Sequence, residues 1–372
     1  MRRTVRICAL ALCLSVATVG EDVWTGVERV VAVGDVHGDY EAFVSVLRAS
    51  GLIDDKGKWS GGKTHLVQTG DVVDRGPDSR KVIDLLMQLE RQSRSAGGFV
   101  HSLMGNHEAM NVYGDLRYVH QGEYESFRTG DSARIRDSFF DQHVEDLRRT
   151  PGALKIDDAY RKKWEQEHPL GFFEHRYEYG PGGKYGRRIR RLDALVKIND
   201  VLFLHAGISP KYAVYTIREL NDRIRKELDD FEKLKEGFVL DQTVGPLWYR
   251  GLASEDGEEI RSHVDALLSK YGVSRIVIGH TVTGGAVLPR FGGKVVMIDV
   301  GMSRAYGGPP AALVIEKGLP HAVHRGRKLP LPAAAPDLLR YLKQVAGLEP
   351  SNSQVAKQAA DLEAALAASA PK

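Results

Sequence analysis

Three apolar runs in the first third of the chain each lead into a glycine followed at once by an oxygen-donor side chain. Residues 28–33 run into Gly34-Asp35, residues 64–68 into Gly70-Asp71, and residues 99–104 into Gly105-Asn106. The step from Asp35 to Asp71 is 36 residues and from Asp71 to Asn106 is 35. Parallel neighbouring strands need a crossover of a dozen or more residues, usually a helix. The intervening sequence supplies one each time. Asp39 is suited to cap a helix over 40–49 with an apolar stripe of Phe43, Val46 and Leu47, and Val82, Leu85, Leu86 and Leu89 fall at i, i+3, i+4, i+7. Strand–helix–strand–helix–strand predicts a parallel, helix-covered sheet of the α/β class. In such a sheet the carboxyl ends of the strands converge on one crevice.

The rest of the chain divides around this unit. Residues 111–190 are rich in Arg, Tyr, Glu and Asp, with a helical patch at 137–149, and are read as an insertion that caps or flanks the site. Further strands are predicted at 201–204, 275–278, 294–298 and 312–316, with a helix over 258–271, and together suggest a second sheet packed on the first. The catalytic-type domain is expected over 28–326, and 327–372 as a Pro- and Ala-rich extension, loose or helical.

The first twenty residues have a basic start (Arg2, Arg3, Arg6), an apolar run over 7–19 and small residues before Glu21-Asp22. This is the pattern of a secretory signal peptide, too short for a membrane span, and predicts a secreted or periplasmic protein. Its arginines account for the formal charge of +3, and it holds both cysteines, Cys8 and Cys13. The mature chain is then near neutral and without thiols. No nucleic-acid partner is expected, and any metal is held by oxygen and imidazole nitrogen.

Five segments carry that chemistry: Gly34-Asp35-Val36-His37-Gly38, Gly70-Asp71-Val72-Val73-Asp74-Arg75-Gly76, Gly105-Asn106-His107-Glu108, His205-Ala206-Gly207 and Gly279-His280-Thr281. Taken singly, each has a plain reading as a turn or a strand end. In order, each at a strand end, they form a ligand set. Asp35 and His37, two residues apart and pointing the same way if extended, would hold a first divalent ion. Asp71 would bridge, and Asn106, His205 and His280 would complete a second site; the mixed donors suit Mn, Fe or Zn. Two ions about 3.5–4 Å apart can activate a shared water and clamp a phosphoryl group. His107 is assigned as the general acid, aimed away from the metals and oriented by Asp74. Arg75 is assigned to phosphate oxygens, with Arg250 as a second clamp and Arg304 as a weaker candidate. His65, His101 and His120 are read as structural, and Asp39 as a helix cap.

These blocks, GDVHGD (34–39), GDVVDRG (70–76), GNHE (105–108), HAG (205–207) and GHT (279–281), resemble the phosphoprotein phosphatase family of calcineurin-like metallophosphoesterases over about 28–316. The resemblance implies a central β-sandwich of two mixed sheets flanked by helices, with two metals at one edge and ligand roles as above. Ala206, Met104, LWYRG (247–251) and the lack of a C-terminal Ser-Ala-Pro-Asn-Tyr motif depart from the eukaryotic Ser/Thr enzymes. GPLWYRG (245–251) and IDVGMSRAYGG (298–308) are similar instead to the Shewanella-like protein phosphatases.

The expected function is therefore two-metal hydrolysis of phosphate monoesters by a metal-bridging hydroxide, on a phosphoprotein or phosphopeptide. Two alternatives stand beside it: a dinucleoside-polyphosphate or small-molecule phosphatase on the same core, and a secreted binding module that has lost catalysis. The motifs leave the phosphoamino acid and the oligomeric state open.

Overall fold

Twelve strands form two six-stranded sheets in a computed structural model that describes residues 22–149 and 155–369. The leader expected at 1–20 lies outside the described residues. In chain order the strands are β1 (Val23–Trp24), β2 (Arg29–Val33), β3 (His65–Gln68), β4 (Phe99–Ser102), β5 (Leu195–Ile198) and β6 (Val201–Leu204). They continue as β7 (Arg275–Ile278), β8 (Leu288–Arg290), β9 (Val295–Met297), β10 (Ala311–Glu316), β11 (Leu319–His324) and β12 (Arg327–Pro330). One sheet has the order β12-β11-β10-β2-β3-β4, the other β1-β5-β6-β7-β9-β8.

Each sheet keeps three parallel strands side by side, and their ends are level. Val33 pairs with Gln68 and Gln68 with Ser102 in the first sheet. Leu204 pairs with Ile278 and Ile278 with Met297 in the second. The loops that follow therefore leave from one height and meet at one edge. Apart from polar residues such as His65, Gln68 and His101, these strands are apolar because helices or the other sheet cover both faces. Val31, Leu66, Leu202, Phe203, Val277 and Val296 are fully buried in one core shared by the two sheets.

The crossover helices are Tyr40–Ala49 and Ser79–Ser95. Asp39 caps the first by accepting the Ala42 N–H at 3.1 Å, and its second oxygen accepts the Arg304 N–H at 2.9 Å. The insertion is helical: Gln121–Phe127, Ser132–Arg148, Asp158–Glu167, Phe172–Tyr179 and Lys184–Ile189. Phe140, Val144 and Trp164 give it a small core of its own, while Phe127, Tyr179, Tyr185 and Ile189 join the main one.

The C-terminal segment, read from the sequence as loose or helical, opens on a strand and continues as two helices. The boundary expected at 326/327 falls inside a hairpin, where Arg325 (φ 48°) and Gly326 (φ 77°) make a two-residue turn between β11 and β12. Paired positive φ values match the right-handed twist of the flanking strands. The helix Ala335–Ala346 then buries Tyr341, Leu342 and Val345. The helix Gln354–Ser369 packs on it and buries Val355 and Ala359, and Gln358 donates to the Thr283 carbonyl in the loop that follows His280. An Ala-rich helix hides this docking in the sequence because its few buried side chains are small.

Candidate active site

All five motif loops meet at the shared edge. The backbone there is strained: His37 (φ 46°), Asp71 (φ 55°), Asp74 (φ 67°), Arg75 (φ 64°) and His280 (φ 62°) all adopt left-handed conformations. Such residues cost about 1–3 kcal/mol each and persist only where their surroundings hold them. Asp35 and His37 thus converge through a turn, not through the extended alternation read from the sequence. The chain around His37 is held by Asp71, whose carbonyl accepts the N–H groups of Val36 and His37 at 2.9 Å. Glycine permits the close approach of neighbouring loops. A Cβ on Gly105 would strike the Asp71 carboxylate and backbone, and one on Gly279 would strike Asp35.

Hydrogen bonds fix which ring nitrogen of each histidine faces inward. His205 Nδ1 lies 2.9 Å from the Thr69 carbonyl, His280 Nε2 lies 3.1 Å from the Trp248 carbonyl, and His37 Nδ1 lies 3.0 Å from the Val73 carbonyl. Each of these nitrogens must be the N–H, so the other carries a lone pair. For His205 that lone pair, on Nε2, meets Asn106 Oδ1 at 2.9 Å, His280 Nδ1 at 3.1 Å and Asp71 Oδ2 at 3.4 Å. Asn106 turns its amide nitrogen away, toward Met110 Sδ at 3.8 Å. Four electron pairs thus point at one another with no proton between them. His37 Nε2 faces Asp35 Oδ2 at 4.0 Å and Asp71 Oδ2 at 3.8 Å in the same manner. Oxygen and imidazole lone pairs converging in a buried space are the donor set of a divalent cation, and this arrangement fits the metal ions that the sequence predicts. Asp71 is common to both groups, one with His37 and His107 and one with His205 and His280.

The charges agree with that reading. Burial is the main cause holding His37 neutral, down to about 3, and it lowers His280 well below its usual value together with His205. Neutral imidazole is the ligating form. Burial, then Asp299 and Asp71, pushes Asp35 well above the carboxylate range. Packing these carboxylates together is unfavourable without a cation among them.

His107 differs from the sequence expectation in direction. Its Nδ1 bonds Asp74 Oδ2 at 2.6 Å, and Asn111 Nδ2 donates to the other Asp74 oxygen at 2.8 Å. Its Nε2 lies 3.9 Å from Asp71 Oδ2, so the ring faces the cluster and does not turn from it. The reason is local: the His107 N–H donates to Asp71 Oδ1 at 2.9 Å, which ties the start of the helix Asn106–Tyr113 to that loop. Burial disfavours the imidazolium, yet Asp71 and Asp74 outweigh it and raise His107 above its ordinary value.

Arg75 lies over the Tyr118 ring at 4.5 Å and the Tyr306 ring at 5.3 Å. Among the described residues it pairs with no carboxylate, and its Nε is buried without a partner. Arg250 also reaches the site, but Nη1 donates to the His280 carbonyl at 2.7 Å and to Thr281 Oγ1 at 2.9 Å, so it braces the His280 loop. Arg304 is exposed and lies 3.7 Å from Asp39. His65 and His101 pack edge-on against Trp24 away from the cluster, and His120 caps the helix Gln121–Phe127.

Sequence reasoning passed over four residues here. Glu108 accepts the N–H groups of Asp71, Val72 and Gly105 at 2.8 Å each, and burial followed by Asp71 raises it to about 7. Asp299 is buried beside Asp35 and raised by burial to about 6. Glu108 sits in the first turn of the helix Asn106–Tyr113, inside GNHE, and Asp299 just past the end of β9, so both were legible as acids beside the motif loops. Tyr118, in a loop without a repeating pattern, carried no signal, and Tyr306 lies within IDVGMSRAYGG (298–308), which carried a resemblance but no role for the ring.

A family model described as Calcineurin-like phosphoesterase matches residues 28–284. The chain is 32% identical over 312 residues to an uncharacterized protein of Schizosaccharomyces pombe, covering 80% of this chain and 81% of that one. It is 28% identical over 314 residues to Shewanella-like protein phosphatase 2 of Arabidopsis thaliana, covering 78% and 75%. The solved cold-active protein-tyrosine phosphatase of a psychrophile Shewanella sp. superimposes with a TM-score of 0.65 at 30% identity, covering 84% of this chain and 83% of that one.

Proposed function

The chain belongs to the calcineurin-like phosphoesterase family, and from that premise we propose that it is a two-metal protein phosphatase favouring aromatic phosphate monoesters such as phosphotyrosine. The observation that carries the metal part is the meeting of unprotonated lone pairs from Asp71, Asn106, His205 and His280, with Asp71 also facing His37. Asp35, His37 and Asp71 would hold one ion, and Asp71, Asn106, His205 and His280 the other. Mn, Fe and Zn all suit these donors. When bound, the ions supply an activated water and neutralise the phosphoryl oxygens.

The protein groups do the rest. Arg75, fixed between two rings, offers the planar N–H fork that matches two phosphate oxygens. Tyr118 and Tyr306, each about a third exposed, wall the same opening and give an aromatic leaving group apolar faces to lie against. His107, whose imidazolium Asp71 and Asp74 favour against burial, donates its Nε2 proton to the departing oxygen. The names of the Arabidopsis and Shewanella relatives support protein substrates, and the name of the Shewanella enzyme supports tyrosine. The basic-then-apolar leader supports export of the mature enzyme.

The test is turnover by metal-loaded enzyme of phosphotyrosine peptides, phosphoserine peptides and dinucleoside polyphosphates, beside Asp71→Asn. Phosphotyrosine turned over fastest, with Asp71→Asn stripped of metal and activity, supports the assignment. Preference for dinucleoside polyphosphates would give the core another substrate, and metal-loaded protein inert toward all three would leave only a binding role.

A further inference from the structure

Two consecutive left-handed residues without glycine, Asp74 and Arg75, carry the partner of His107 and the phosphate fork. The left-handed region is unfavourable for an L-residue, so something must hold this turn. Two contacts do. The Arg75 N–H donates to the Tyr118 carbonyl at 2.8 Å, and the Asp74 N–H donates to Ser79 Oγ at 3.2 Å. The Ser79 hydroxyl has one proton and gives it to Glu123 Oε2 at 2.7 Å. A carboxylate only accepts, so Glu123 dictates that the hydroxyl turns a lone pair toward Asp74. The other Glu123 oxygen accepts from the Tyr179 hydroxyl at 3.1 Å, with His175 Nε2 at 3.5 Å. Ser79, Glu123, His175 and Tyr179 are all fully buried. Exchanging a buried ionic group for apolar packing is often neutral, so stability gives a weak reason for a carboxylate here.

We propose that Glu123, supplied by the helical insertion, is a positioning residue for proton delivery: through Ser79 it holds the Asp74 turn, and through Asp74 the imidazole of His107. Glu123 touches no reacting group. The insertion is then part of the catalytic apparatus and not only a cover. This rests on the phosphomonoesterase reading and on His107 as the acid.

The experiment compares phenyl phosphate, whose leaving group needs a proton, with p-nitrophenyl phosphate, whose leaving group needs little help. Glu123→Met keeps the side-chain volume and removes the acceptor. It is expected to lower kcat on phenyl phosphate about tenfold more than on p-nitrophenyl phosphate, with metal content and KM little changed. Glu123→Gln can still turn an amide oxygen to Ser79 and should recover much of the loss. In a His107→Asn background, Glu123→Met should leave the ratio of the two rates unaltered. Equal losses on both esters, or a ratio that still moves without His107, would overturn the proposal in favour of a purely structural tie. Should Glu123→Met fail to fold, Ser79→Ala carries the same measurement: a selective loss on phenyl phosphate upholds the proposal and equal losses overturn it. Wild type inert toward both esters sinks the phosphomonoesterase reading itself and this inference with it.

Discussion

His107 Nδ1 and Asp74 Oδ2 stand 2.6 Å apart, both buried, one in the first turn of a helix and the other in a loop, after different strands of the same sheet. The carboxylate fixes the ring so that Nε2 alone is free to give up a proton. Asp74→Asn keeps the shape but removes the charge that favours the imidazolium. It should lower kcat on phenyl phosphate by roughly 10²–10⁴ and on p-nitrophenyl phosphate by much less, with both metals retained. His107→Asn should behave alike. Loss of metal in either variant would place His107 among the ligands.

Gly279→Ala tests how closely the loops must approach. Its φ is not in the left-handed region, so alanine is allowed by the backbone. The added Cβ would nevertheless lie 2.9 Å from Thr69 Oγ1 and closer still to Asp35 Oδ1. Asp35 must move, so the first ion should be lost from the purified protein, and activity with it. Gly130→Ala, with open space around its Cβ, is the control and should keep full metal content. Metal stoichiometry by elemental analysis decides; wild-type loading of Gly279→Ala would show that Asp35 is no ligand.

Arg75→Lys keeps the charge and loses the fork and the stacking on Tyr118 and Tyr306. Hydrogen bonds to charged groups contribute about 1.5–3 kcal/mol, so kcat/KM for phosphotyrosine peptides should drop about tenfold to a hundredfold. The inhibition constant of inorganic phosphate should rise in step. Tyr306→Ala is expected to raise KM for aryl esters while leaving phosphate inhibition nearly untouched, which separates the ring contact from the anion contact. Unchanged kinetics in Arg75→Lys would remove Arg75 from the substrate.

The site was more legible than the frame around it. Asp35, Asp71 and Asn106 stand out because a parallel strand, its glycine and its ligand recur at nearly equal spacing, and the level register of β2, β3 and β4 turns that spacing into proximity. The α/β class and the second sheet were legible from the same apolar runs. What the sequence hid was short or irregular. β1 has two residues and shows no period, and β12 reads as a charged, proline-ended stretch. The reason that Asp35 and His37 converge was also hidden, because a left-handed histidine is dictated by contacts with the Asp71 loop and not by local preference. Tyr118 and Glu123 gain their roles only when the insertion folds back on the Asp74 turn.

His324 links acidity to the docking of the C-terminal helices. It is fully buried, and its Nε2 lies 2.9 Å from the Tyr341 hydroxyl. That hydroxyl gives its proton to the Val287 carbonyl at 2.9 Å, so Nε2 must be the N–H and Nδ1 the bare nitrogen. Nδ1 is buried without a partner, and a proton placed there finds no acceptor. Burial accordingly lowers the group from 6.5 to about 4, against a smaller upward pull from Glu349, which is itself paired with Arg325 at 2.7 Å. Between these two values the unfolded chain binds a proton that the native chain does not. Stability should therefore be intact above the unfolded value and fall as pH drops from about 6.5 toward 4, by up to about 3 kcal/mol from this residue. His324→Gln keeps a donor for Tyr341 and removes the titration. Denaturant unfolding of the two proteins at pH 7, 6 and 5 reads the difference, which cancels the contribution of other buried histidines such as His65. The gap between wild type and His324→Gln should shift in favour of the variant as the solution is acidified; a gap independent of pH would mean that His324 accepts its proton without disturbing the helix Ala335–Ala346.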